Sequence, residues 1–188
     1  GSNNIFTGYL AGYNNSTGLS NIAIGQNSLY SNITLSSSTA IGDSALQYST
    51  TSGNTALGYW AGVGDGSSNN MRSTIDTFVT FLGFQTSRDN TIASTTLLTN
   101  ITAIGKNARV GLSNSIVLGG TSTDAVTVGI GTTTPGATLT VRGNSSTRPF
   151  EVASSSGASL FSILANGNVG IGSSTPGTLL ALSGGSFD

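Results

Sequence analysis

Charged side chains are scarce in this sequence. Only 7% of its 188 residues are Asp, Glu, Lys or Arg, and the net charge is −1, whereas about 25% of an average soluble domain is charged. The chain therefore lacks the basic character that attracts nucleic acid or an anionic membrane surface. We expect no nucleic-acid partner, and we expect Ser, Thr and Asn to keep the chain in solution.

Cysteine and histidine are absent. The lack of Cys excludes a disulfide framework and thiolate metal sites, and the lack of His removes the commonest general base and transition-metal ligand. The acidic residues form no pair at a spacing that suits acid–base catalysis. Lys106 is the only lysine and could serve in a Ser-Lys dyad. It stands directly after a glycine of the repeat described below, and the other copies have Tyr, Gln, Asp, Phe or Gly at this position, which favours a solvent-exposed side chain instead. We expect no enzyme activity, no cofactor and no metal.

Long apolar runs are also missing. No stretch approaches the roughly 20 consecutive apolar residues that span a bilayer, so we expect no membrane insertion in this segment. Apolar residues nevertheless make up 36% of the chain, and Gly occupies 27 positions. The apolar residues recur at regular positions, unlike those of a disordered Gly/Ser-rich linker. The composition therefore predicts a folded chain.

A tripeptide that ends in glycine, most often Ala-Ile-Gly, recurs along the first two thirds of the chain. The repeat glycines are Gly8, Gly25, Gly42, Gly58, Gly83, Gly105 and Gly119. Successive glycines are 17, 17, 16, 25, 22 and 14 residues apart, so the longer intervals predict insertions near residues 63–80 and 84–101. We expect each glycine to supply a bend or a positive φ between strands.

The residues before each glycine alternate with the period of a β-strand. In the second copy, Ile22 and Ile24 share one face and Ala23 lies on the other. We expect the aliphatic face to fill the interior of the fold and the small face to pack against a neighbouring chain. Another small residue stands three positions after each glycine, as Ala45 does after Gly42.

Each repeat is too short to bury a core by itself, but stacked repeats can bury one coil upon coil. No helical period is sustained, and Gly, Asn, Ser and Thr recur too often for a helix. The repeat therefore predicts an all-β fold with the architecture of a parallel β-solenoid. The alternative is a β-sandwich or barrel in which these glycines form ordinary turns.

The segment Asn21-Ile22-Ala23-Ile24-Gly25-Gln26-Asn27-Ser28 and the segments 38–45, 54–58 and 101–108 resemble the head repeat of trimeric autotransporter adhesins. The resemblance covers about residues 4–120. It implies a left-handed parallel β-roll and three chains packed around a threefold axis as an intertwined homotrimer. It also implies a function in adhesion.

The C-terminal part contains a second repeat, Gly-Ile-Gly-x-x-x-Pro, in segments 128–135 and 169–176, and expected strands follow at 137–141 and 178–182. Its glycines are Gly129, Gly131, Gly170 and Gly172. Asn166-Gly167 predicts a hairpin with a type I′ turn. This repeat resembles those of bacteriophage tail fibres and long bacterial surface proteins, which are also trimeric fibres.

Two domains are expected: an adhesin-head-like β-roll over 1–120 and strand-hairpin fibre repeats over 121–188. We expect a structural and adhesive segment of an extracellular, cell-surface fibre. It would act as a homotrimer that binds a host-cell, matrix or glycan receptor. The alternatives are a phage tail fibre, on the virion, that recognises a receptor, and a self-assembling extracellular filament subunit.

Aromatic residues provide the candidate recognition site. Tyr59 and Trp60 are possible recognition residues because Tyr and Trp suit binding surfaces. The alternative is that they pack at the edge of the roll or between subunits. The two insertions are further candidates, and we expect Met71, Ile75 and Phe78 to cap the roll or to cover an edge.

Overall fold

The computed structural model describes residues 1–63, 75–93, 95–144 and 146–183; Met71 lies outside them. The described residues form strands and turns, with one short 3-10 helix at Ser122–Asp124 and no α-helix among them. Within this part of the chain, no helix is long and apolar enough to cross a bilayer. The chain divides into two compact units, Gly1–Val126 and Thr127–Asp188.

The first unit is built on one parallel sheet that takes one strand from each repeat. Its strands in chain order are β1 (Ile5–Thr7), β2 (Ile22–Ile24), β3 (Thr39–Ile41), β4 (Thr55–Leu57), β5 (Thr77–Leu82), β6 (Ser87–Arg88), β7 (Thr99–Ile104), β8 (Arg109–Val110) and β9 (Ser115–Leu118). The main sheet has seven strands in the order β1-β2-β3-β4-β5-β7-β9, and β6 pairs with β8 beside it. The prediction of an all-β, mostly parallel, solenoid-like architecture is confirmed.

The repeats stack in register despite their unequal lengths. Ala40 pairs with Ala23 on one side and with Ala56 on the other. Each repeat glycine after the first donates its N–H to the carbonyl of the residue before the preceding repeat glycine, over 2.7–2.9 Å. Because these bonds are made at the glycines, the extra residues of the longer repeats lie between strands and leave the register intact. β5 and β7 begin at Thr77 and Thr99, inside the segments expected as insertions.

The sheet faces are the reverse of those expected. The fully buried column is Ala23, Ala40, Ala56, Phe81 and Ala103. The aliphatic residues on the other face are exposed or half-buried, so their assignment to the interior is wrong. The physical reason is space: the buried column shares the interior with the small residues that follow each glycine, such as Ala45 and Ala61. The small side chains of these two columns pack closely against each other, as a dense interior requires.

Larger side chains enter the interior where a glycine makes room. A Cβ on Gly62 would lie 3.3 Å from the ring of Phe81 and 2.8 Å from Leu46. A Cβ on Gly12 would lie 2.7 Å from the ring of Phe6. Gly12 and Gly62, which stand four positions after the repeat glycines Gly8 and Gly58, thus leave space for these rings, as close packing requires.

A ladder of polar side chains runs along the first four strands, one residue before each of them. Oδ1 of Asn4 accepts the N–H of Asn21 at 2.9 Å, and Oδ1 of Asn21 accepts the N–H of Ser38 at 3.1 Å. Ser38 Oγ accepts from Asn54 at 3.3 Å, and Asn54 Oδ1 accepts from Val79 at 3.2 Å. Asn21, Ser38 and Asn54 are fully buried. Their bonds offset the cost of burying polar groups and link each coil to the next.

The second unit contains two sheets. Its strands are β10 (Val128–Ile130), β11 (Leu139–Val141), β12 (Phe150–Ala153), β13 (Ser159–Ile163), β14 (Val169–Ile171) and β15 (Leu180–Leu182). β10 pairs with β11, and β12 to β15 form a four-stranded sheet in chain order. The two Gly-Ile-Gly copies have the same local structure, because β10–β11 and β14–β15 are parallel pairs with equivalent register.

An antiparallel hairpin joins β13 to β14 at the predicted Asn-Gly pair. The N–H of Leu164 donates to the carbonyl of Asn168 at 2.8 Å. Gly167 has a φ of +89°, whereas Asn166 is not among the residues with positive φ. The turn is therefore not type I′, which needs positive φ at both positions; it is a three-residue loop that ends in a left-handed glycine.

The second unit buries almost none of its own surface. Of its described residues, only Ser162, Gly170 and Pro176 are buried. Many of its described large apolar side chains are exposed and the others are half-buried. The exposed ones include Ile130, Leu139, Val152, Leu160, Ile171, Leu179, Leu180 and Leu182. One ring contact, the edge-to-face pair of Phe150 and Phe161 with centroids 5.9 Å apart, packs on the sheet. Among the described residues, the apolar core lies in the first unit.

Candidate functional site

The repeat glycines stack directly on one another in the first unit. From Gly8 to Gly105 their φ values lie between +111° and +137°, and Gly119 has +77°. A Cβ on Gly25, Gly42 or Gly58 would come within 2.4–2.5 Å of the carbonyl oxygen of the next glycine. The expected positive φ is confirmed, and the close approach of neighbouring coils is a second reason for glycine.

The glycines of the second repeat divide into two kinds. Gly131 and Gly172 have φ of +72° and +69°. A Cβ on them would lie 2.3 Å and 2.4 Å from the carbonyl oxygens of Arg142 and Ser183. Gly129 and Gly170 lack positive φ, but a Cβ on either would also collide with backbone, at 2.7 Å and 2.4 Å. All four positions therefore exclude a side chain for steric reasons.

The outer face of the main sheet carries a continuous apolar stripe, which we call the aliphatic column. It consists of Ile24, Ile41, Leu57, Leu82, Ile104 and Leu118, which follow one another in register. Apart from half-buried Ile41, these side chains are 36–48% exposed. Beside it runs a mixed column that includes Ile5, Ile22 and Ile116. The parallel register places one apolar side chain on each coil, so the exposed surface is unbroken from β2 to β9.

Three aromatic rings that follow the repeat glycines Gly58 and Gly83 form a stacked group, which we call the aromatic ladder. Tyr59 stacks on Trp60 with centroids 5.2 Å apart and on Phe84 with centroids 5.3 Å apart. Tyr59 and Phe84 are exposed, and Trp60 is half-buried. The structure thus brings the two candidate recognition residues together and adds Phe84. The sequence contained the signal for this third ring, since Phe84 follows Gly83 as Tyr59 follows Gly58.

Trp60 is a large residue in a backbone conformation that smaller residues usually adopt. The residue two after the repeat glycine has positive φ in successive coils, as in Asn27, Ser44 and Asn107, and Trp60 has +56°. Asn and Ser tolerate this left-handed region, whereas a bulky residue is rare there. The stacking of Trp60 on Tyr59 helps to offset the conformational cost.

Ile75 and Phe78, which were expected to cap the roll or to cover an edge, differ in exposure. Ile75 is half-buried. Phe78 is 69% exposed, so the expected covering role is not observed. Its ring lies against Gly53, where a Cβ would be 3.4 Å from it.

A buried ion pair secures the second insertion. Arg88 Nη1 lies 3.0 Å from Asp76 Oδ1, and both side chains are fully buried. Arg88 Nη2 donates to the carbonyls of Ala93 and Thr96 at 3.1 Å and 2.8 Å. Oδ1 of Asp76 also accepts the N–H of Leu98 at 3.0 Å. One cation thus holds both sides of the loop between β6 and β7.

Two further acidic residues of the first unit, Asp89 and Asp124, have lowered pKa values. Lys106 Nζ lies 2.8 Å from Asp124 Oδ1, and hydrogen bonds from Lys106 and Asn107 hold the pKa of Asp124 below its ordinary value. Hydrogen bonds from Thr91 lower the pKa of Asp89. Among the described residues, no three His, Cys, Asp or Glu side chains cluster so that they could hold a metal ion.

No family model matches the chain, and comparison with curated proteins and with solved structures finds no similar one.

Proposed function

We propose that this chain is a structural and adhesive segment of an extracellular fibre and works as an intertwined homotrimer. The observation that carries the proposal is the exposed apolar surface of both units. The first unit leaves the aliphatic column outside its core, and the second unit has no apolar core among its described residues. Surfaces of this kind on a soluble chain mark sites of association.

The free energy available from covering this surface is large. Full burial of one Leu, Ile or Val side chain contributes about 1.5–3 kcal/mol. The aliphatic column and the second unit together expose more than ten such side chains. With a net charge of −1, the chain also offers little electrostatic repulsion to copies of itself.

The proposal of three chains is based on the resemblance of the repeats to those of known fibres. Both repeats resemble repeats of trimeric fibres, and a threefold axis would place three aliphatic columns against one another. In this arrangement the roll is left-handed, as in the adhesin heads. The fibre would display the aromatic ladder and the loops between strands, where a host-cell, matrix or glycan receptor would bind.

Light scattering on the purified chain tests the assembly. We expect a mass three times the chain mass of 18.8 kDa. The double variant Leu57→Ser/Leu82→Ser removes two neighbouring members of the aliphatic column. Because these side chains are 46% and 41% exposed in the single chain, the loss should weaken association by roughly 1.5–3 kcal/mol per chain. The double variant should shift the mass toward the monomer.

The matched control is Leu97→Ser/Leu112→Ser, which removes two exposed leucines that lie outside the column. This control should stay trimeric. A wild-type chain that is monomeric and melts cooperatively would disprove the proposal, as would equal dissociation of both double variants. Unlimited filaments under negative stain would instead favour the filament alternative.

A further inference from the structure

Phe78 shares the backbone conformation of its column but not the residue type found in the other coils. The residue five positions before each repeat glycine has a positive φ, between +52° and +75°, in all seven coils. The other six members are Asn3, Ser20, Ser37, Gly53, Asn100 and Asn114. These are the residue types that tolerate the left-handed region. Phe78, with a φ of +55°, is the one bulky member.

The side chain of Phe78 gains little packing in return for this strain. It is 69% exposed, and no other aromatic ring among the described residues stacks on it. A strained residue that persists without a packing role points to a function for its side chain.

The ring of Phe78 forms one wall of an open groove of about 550 Å³. Leu35 and Gly53 supply the rest of its apolar lining, and six of the nine lining residues are Ser or Thr. None of the nine is charged. The exposed lining is nevertheless mainly apolar, with one aromatic face and a few Ser and Thr hydroxyl groups, and it offers no counter-ion to a charged ligand.

Two of the hydroxyls are oriented by the backbone. Ser36 Oγ accepts the N–H of Leu19 at 3.0 Å, and Ser52 Oγ accepts the N–H of Ser36 at 3.1 Å. Because each oxygen is held as an acceptor, its O–H hydrogen is left to donate to a ligand. Neighbouring coils thus present a row of fixed hydroxyl groups at the groove.

We propose that this groove binds a neutral saccharide, with the apolar face of a sugar ring on Phe78 and the sugar hydroxyls paired with the hydroxyl groups of Ser36 and Ser52. Small-ligand sites combine apolar walls with a few placed polar groups in this manner. A second copy of the chain fits less well, because Ser is depleted at the centres of protein interfaces. The inference deepens the adhesive role proposed above and rests on it.

A printed array of neutral saccharides (hexose, N-acetylhexosamine and deoxyhexose units), with sialylated and sulfated ones for comparison, tests the site. The full chain should bind at least one neutral saccharide. Phe78→Asn, which restores the usual residue of the column, should reduce that binding at least tenfold while the melting temperature stays equal or rises. Phe78→Tyr, which keeps the ring, should bind within about threefold of wild type. Tyr13→Ala/Tyr30→Ala, which removes another stacked pair of rings, should still bind.

Several results would overturn the inference. One is the absence of binding to every neutral saccharide, or binding to acidic ones alone. Another is unchanged binding by Phe78→Asn, or loss of binding in Tyr13→Ala/Tyr30→Ala instead. A lower melting temperature or a smaller mass for Phe78→Asn would show that the ring serves packing or assembly. The wild-type mass separates the two proposals, since a trimer that binds no saccharide contradicts only this one.

Discussion

Glycine determines the close stacking of coils at the scale of single residues. A Cβ at Gly58 would lie 2.4 Å from the carbonyl oxygen of Gly83. The φ of Gly58, +137°, is also a value that residues with side chains rarely adopt. The same two constraints recur along the column, so each repeat glycine has both a conformational and a steric reason to be glycine.

We predict that Gly58→Ala destabilises the fold by more than about 3 kcal/mol, because backbone strain adds to a collision that the neighbouring backbone cannot relieve. Thermal or chemical unfolding measures this loss. The control is Gly136→Ala, since a Cβ there would have no heavy atom within 4 Å. Gly136→Ala should be neutral or slightly stabilising. Equal stability of the two variants would contradict the steric argument.

Sequence patterns predict the position of some of these residues but not of others. Phe84 was predictable from its place after Gly83, whereas the exposure of Phe78 was not. A sequence shows that Phe78 is large and apolar but not which way the backbone turns its side chain. The buried pairing of Asp76 with Arg88 was equally hidden, because the contact depends on how the loop folds back.

At the scale of elements, the loop between β6 and β7 depends on one buried ion pair. Asp76 and Arg88 are both fully buried, and Arg88 also binds two loop carbonyls. Loss of one partner leaves the other charge buried without compensation, which typically costs about 3–5 kcal/mol.

We predict that Asp76→Leu and Arg88→Met each destabilise the fold by about that amount. The double variant Asp76→Leu/Arg88→Met should cost clearly less than the sum, because it leaves no unpaired charge. A double-mutant cycle from denaturant unfolding measures the coupling. Hydrogen exchange should quicken at Leu98, whose N–H bonds to Asp76. Strict additivity would show that the pair contributes little.

At the scale of the whole molecule, stability should vary little with pH near neutrality. The chain has no His and only 13 charged side chains, six basic and seven acidic. The pKa values of Asp89 and Asp124 are lowered by hydrogen bonds in the folded state. Their stabilising contributions are therefore complete above the ordinary pKa of 3.8 and are lost as the pH falls through the lowered values.

We predict a nearly constant melting temperature between about pH 5 and pH 9 and a decline below about pH 4. Differential scanning calorimetry measures it, and added salt should have little effect because few exposed charges are present. Lys106→Met should raise the pKa of Asp124 in an NMR titration, while the pKa of Asp89 stays unchanged. A strong shift of the melting temperature near neutral pH would contradict this account.

The amino-acid sequence by itself determined the all-β class, the strand of each repeat, the glycine turns and the register. These follow from local alternation and from the steric demands on glycine, which are properties of short segments. Only the tertiary structure decided which face of the sheet lies inside. Alternation shows that Ala23 and Ile24 lie on opposite faces, but the interior is defined by the separation between a strand and the returning chain. The face of Ala23 and Ala40 lies in the core, whereas Ile24 is left on the opposite face, which the proposed assembly would cover.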